Sequence, residues 1–131
     1  MRFTSWKKWT AVAVCFSIGC CSWMSLGHAA DEEAGKAKYS IKQVMKEAHK
    51  KGDSLLEKVI AGDASAEEKT KLLDLYISLV ENEPKKGEAA SWQKLAGGAA
   101  LAAAKVVVGR EGATDELKKA ADCAGCHKPH K

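Results

Sequence analysis

Residues 123–131 read CAGCHKPHK, which puts two thiols and an imidazole within five positions, at Cys123, Cys126 and His127. Residues three and four apart share one face of a helix, which turns by about 100° per residue. A helix through this stretch therefore presents both thiols and the His127 ring to one side. Three chemistries use such a set. A dithiol redox pair belongs beside a βαβ unit, and no alternating strand pattern occurs here. A zinc site would recruit Cys123, Cys126, His130 and His127, with every ligand coming from one end of the chain. The pattern C-x-x-C-H is that of covalent haem c attachment. On that reading Cys123 and Cys126 form thioethers with the vinyl groups of one haem per chain, and His127 is the proximal ligand of its iron.

The elements that must position this cluster read as helix throughout. Over residues 40–62, apolar or small residues at Ile41, Val44, Met45, Ala48, Gly52, Leu55, Leu56, Val59 and Ile60 keep the intervals of one amphipathic face. Ser40 is the expected N-cap and Gly62 the expected stop. A second helix starts at Ser65, where SAEE places Glu68 for a capping box. Its apolar stripe is Leu72, Leu73, Tyr76, Leu79 and Val80, and Pro84 and Gly87 end it. A third, from Ala89 to Val108, is dominated by alanine and glycine, with bulk only at Trp92, Leu95, Leu101 and residues 106–108. Such a surface lets a neighbouring helix, or a flat ligand, come close. Thr114 is expected to open a fourth helix that runs into the terminal cluster, and Pro129 to loosen its last turn. The fold class is all-α, an antiparallel four-helix bundle.

A haem inside such a bundle has a second axial position. Met45 lies on the apolar face near the start of the first helix, and an up-down bundle brings that start to the end where His127 stands. Met45 is therefore the expected distal iron ligand. Its competitors are its own role as ordinary core filler, His49 one turn further on, and an open position. Gly52, on the same face, is expected to leave room for the porphyrin edge or a crossing helix.

Composition supports a cofactor. Residues 1–30 have the order of a secretory signal peptide: Arg2, Lys7 and Lys8 without an acid, an apolar stretch, then small residues before the acidic DEE at 31–33. Cleavage after Ala29 or Ala30 would leave a domain over residues 31–131, exported or periplasmic, with no membrane span. A lipoprotein site at Cys20 is the rival reading of the leader. Loss of the leader removes both phenylalanines and all tryptophans but Trp92, and it leaves 18 basic against 17 acidic residues. Near-neutral charge gives no support to nucleic-acid binding. A core so poor in large side chains gains from the bulk of a bound group, whereas a disulfide between cysteines three apart would close too small a loop to help.

The C-terminal CAGCH, followed by His130 and Lys131, and the run IKQVMKEAHKKGDSLLEKVIAG resemble the class II cytochromes c, namely cytochrome c′, cytochrome c-556 and their b562-like relatives. The resemblance implies an exported four-helix bundle with its haem near the C-terminus, and a first-helix methionine, here Met45, that ligates iron in low-spin members. It implies one-electron transfer with redox partner proteins and no enzymatic acid, base or nucleophile. A homodimer is compatible with it. The alternative within the same family is a five-coordinate, cytochrome c′-like protein that binds NO or CO at an open distal site.

Overall fold

The structure, a computed structural model, describes residues 36–131; the expected leader, with Cys20, lies outside them. Every regular element among the described residues is helical: α1 (Ile41–Ala48), α2 (Leu55–Ala61), α3 (Ala66–Glu81), α4 (Ala89–Val107), α5 (Ala113–Ala120) and α6 (Cys123–His130). No helix among them is long and apolar enough to cross a membrane.

Local chemistry sets most of the boundaries. Ser40 and Ser65 each close a capping box, with Gln43 and Glu68 respectively, so two of the otherwise orphaned donors at each start are satisfied. Gly62 ends α2 in the left-handed region at φ +88°, which only glycine adopts without strain.

Two expected helices are each broken in two. The first stops at Ala48, and the chain turns through Gly52 at φ +84° before α2 begins. Ser54 N-caps α2 by accepting from the Glu57 amide, while its hydroxyl donates to the Ala48 carbonyl at 2.9 Å and ties the two pieces together. Gly52 therefore makes a turn and contributes no helical face. The fourth helix begins at Ala113 behind Gly112, and Thr114 lies inside it. It breaks again at Ala121, and Asp122 starts α6 by accepting from the Ala124 and Gly125 amides at 3.1 and 3.0 Å. Within α6, Cys123, Cys126 and His127 keep the common-face spacing. The helix continues through Pro129, and docking of His130 against the protein body outweighs the amide bond that proline cannot make.

The most extensive packing is α3 on α4; α5 lies on α4, α1 and α2 lie on α3, α2 also meets α5, and α6 meets α4. Leu72, Leu75, Tyr76 and Leu117 are inaccessible, and burial of each leucine stabilises the fold by about 1.5–3 kcal/mol. The inner face of α4 is Ala96, Ala99, Ala102 and Ala103, which permits the close approach expected of it. Its bulkier residues divide: Leu101 is 60% exposed and the capping Val108 67%, while Val106 is buried. Trp92 is the largest side chain of the helix. It is buried, and its indole N–H is shared between the carbonyls of Leu79 and Asn82 at 2.9 and 2.8 Å, which closes the end of α3.

Candidate functional site

A cavity of about 780 Å³ opens where α1, α3, α4 and α6 meet, a size in the ~300–1,000 Å³ range of ligand pockets. Met45 and His49 from the end of α1 line it, Tyr76 and Leu79 from α3, Trp92, Ala96 and Ala99 from α4, and Cys123, Cys126 and His127 from α6. The lining is mostly apolar, with Lys42, Lys85, Lys86, Lys131 and Asp122 at its border. Each sequence-derived site residue thus reaches one cavity, Met45 and His49 included, while Gly52 does not.

The size of this space bears on what it is for. The alanines of α4 are too short to fill it. A mostly apolar space of this kind suits a large flat group, and two thiols with an adjacent imidazole on one wall are the donors for attaching one.

Both cysteines are free; Cys123 is exposed and Cys126 half-buried. Burial, then the Asp122 carboxylate and the Cys123 sulfur, push the Cys126 thiol above its ordinary range. A dithiol redox catalyst needs the opposite shift, because the thiolate is its nucleophile. Among the described residues no three or more His, Cys, Asp or Glu side chains gather to hold a metal ion. The zinc alternative also loses His130, whose ring is engaged elsewhere with Lys86 and Ser91. A haem iron takes four of its ligands from the porphyrin and so needs no such cluster.

Tyr76 joins the two sides of the cavity. Its hydroxyl lies 3.4 Å from His49 Nε2, and the two rings stack with centroids 5.8 Å apart. Burial chiefly, with smaller contributions from Cys123 and Cys126, pushes its hydroxyl far above the usual tyrosine range, so it stays protonated and can either donate to His49 or accept from it. Burial first, and then the nearby His127, hold His49 below the ordinary histidine range, so its ring is neutral at pH 7. A metal-binding histidine is neutral and donates its second N–H to a fixed acceptor; with Nε2–H donating to the Tyr76 oxygen, Nδ1 would be free to bind, which keeps His49 a competitor to Met45 as second ligand of the expected haem.

Sequence reasoning treated Tyr76 only as part of an apolar stripe and did not single out Asp122. The signals for both are present: Tyr76 is the one polar-tipped residue of its stripe, and an Asp directly before a helical motif is an N-cap. No family model, curated protein or solved structure matches the chain.

Proposed function

We propose that this chain is a single-haem c-type cytochrome of the class II kind, an electron carrier and no enzyme, in an antiparallel four-helix bundle. In that arrangement α1 with α2 forms one arm, α3 and α4 the next two, and α5 with α6 the fourth. The observation that carries the reading is the convergence of Cys123, Cys126 and His127 with Met45 on one mostly apolar cavity.

Cys123 and Cys126 would tether the haem, His127 would bind its iron, and Met45 would be the second protein ligand. When bound, that group supplies a one-electron redox couple. The chain's own residues do the rest. Tyr76, Leu79, Trp92 and the alanines of α4 exclude water, and a thioether ligand from Met45 favours the reduced state relative to a second imidazole. Lys42, Lys85, Lys86 and Lys131 line the same cavity and would offer cationic partners to the propionates of such a group. Export, which haem c attachment requires, rests on residues 1–30, and redox proteins are the partners such a carrier would serve.

The full chain, expressed with a haem-attachment apparatus, tests this. One covalent haem by mass, lost when Cys123 and Cys126 are both replaced by serine, together with sharp α and β bands in the ferrous state, is the expected result. A chain that carries no covalent haem overturns the reading. The Tyr76–His49 pair favours a second reading, an open site that binds NO or CO beside that pair. A broad high-spin ferrous spectrum that changes on addition of CO, with Met45→Ala leaving it unaltered, would select it.

A further inference from the structure

α6 carries all the attachment chemistry yet is barely part of the core. Cys123, Ala124, His127, Lys128 and Pro129 are exposed, Gly125 and Cys126 half-buried, and His130, at 9% exposure, is its one buried residue. That residue is held from three sides. Its Nδ1 lies 3.0 Å from the Lys86 carbonyl and its Nε2 3.2 Å from the Ser91 hydroxyl. A carbonyl can only accept, so Nδ1 carries the hydrogen and Nε2 accepts from Ser91. The Trp92 ring meets His130 edge-on, centroids 5.4 Å apart. The fit extends to the backbone: Gly87 stands at φ +86°, and a Cβ there would overlap the His130 ring and the Pro129 carbonyl.

We propose that His130 is the positioning residue of the site, a clamp that fixes the free end of α6 to the corner formed by Lys86, Gly87, Ser91 and Trp92. Asp122 fastens the start of α6 only to itself, through its own first amides. His130 is therefore what sets the direction in which His127, one turn earlier, faces the cavity. With both ring nitrogens satisfied by the protein, His130 is not an iron ligand. The role assigned toward haem rests on the function proposed above; the clamp itself does not.

The test compares the unsubstituted full chain, expressed with a haem-attachment apparatus, with His130→Ala, His130→Asn and Gly87→Ala. In His130→Ala, amide exchange over residues 123–130 should rise by about tenfold, the factor that one to two net hydrogen bonds amount to, while α3 and α4 keep their protection. His130→Asn should recover part of this, since its carboxamide can donate to the Lys86 carbonyl. Gly87→Ala should reproduce the change with His130 intact. In the haem-loaded chain, His130→Ala should keep the covalent haem but change the ferrous bands and the reduction potential. Unchanged exchange over 123–130 overturns the clamp, and so does a rise spread evenly over the whole fold. An unaltered spectrum and potential, with the clamp lost, overturns its positioning role. If the unsubstituted chain carries no haem, the electron-carrier reading fails, and the exchange measurement still decides the clamp.

Discussion

The Tyr76 hydroxyl and His49 Nε2 stand 3.4 Å apart at the wall of the cavity, and among the described residues this is the hydroxyl's one hydrogen-bond partner. The contact joins α3 to the end of α1 beside Met45, where the Lys71–Glu47 ion pair does the same at the surface. The contact is long, so Tyr76→Phe should cost no more than about 1 kcal/mol, the low side of a net hydrogen bond. With burial holding the hydroxyl protonated in the fold, Tyr76 adds stability at neutral pH that is lost as pH rises past ~10, where an unfolded tyrosine ionises. Alkaline denaturation should therefore be shallower in Tyr76→Phe; equal slopes would refute the assignment.

His49 works at the other end of the pH scale. Its folded-state protonation is depressed by burial and by His127, whereas the unfolded ring titrates near 6.5. The unfolded chain therefore binds the proton first as pH falls, and stability present above ~6.5 is lost on acidification. The thermal midpoint of the haem-free chain should drop between pH 7.5 and 5, and His49→Gln should flatten that drop. Each kcal/mol corresponds to about 4–8 °C in a domain of this size.

On the proposed haem-carrying reading, Met45 and His49 make separable predictions. Met45→Ala should convert the low-spin ferrous spectrum to high-spin and lower the reduction potential, because the thioether ligand favours the reduced state. His49→Ala should leave the band shape intact. The reverse pattern, low-spin bands lost only in His49→Ala, would assign the distal position to His49.

Trp92→Phe keeps most of the ring volume and removes the indole N–H shared by the Leu79 and Asn82 carbonyls. The loss should be about 1–3 kcal/mol, read as a lower urea midpoint with an unchanged slope. A midpoint within error of the parent would show that those carbonyls find other donors.

Asp122→Ala removes the acceptor for two amides at the start of α6. Capping losses run at about 0.5–2 kcal/mol, here confined to α6, so the amides of Ala124 and Gly125 should lose protection while those of α3 keep theirs.

Cap chemistry is local, and it is legible: Ser40, Gly62 and Ser65 sit where their residue types predict. The two interior breaks are harder to read, because apolar spacing continues across each of them. Ser54 with Glu57 repeats the pattern of Ser65 with Glu68, and Asp122 heads α6 as Ser40 heads α1, yet an unbroken apolar stripe argues for one long helix. Leu75, fully buried, falls outside the expected stripe on α3, and half-buried Leu73 falls within it. Periodicity defines a face but not the direction from which partners approach. On α4 the alanine face is inside and Leu101 outside, since the helices pack closest where side chains are smallest. At the site, Cys123, Cys126, His127 and Met45 line one cavity, residues that the motif and the apolar face of the first helix single out. The His130 contacts carry no such signal, because Lys86 and Ser91 are 44 and 39 residues away and no local pattern encodes the pairing.

The restart at Asp122 has a consequence for how the chain tolerates change. In one continuous helix, each residue inserted upstream would rotate His127 by about 100° and carry it off the cavity wall. Because α6 begins on its own cap and is held to the body at His130, its angular phase is set by that anchor and not by α5. Insertions or deletions in α5, or in the turn at Ala121, can then be absorbed at the joint, and the heading of the attachment motif becomes independent of the length of the helix before it.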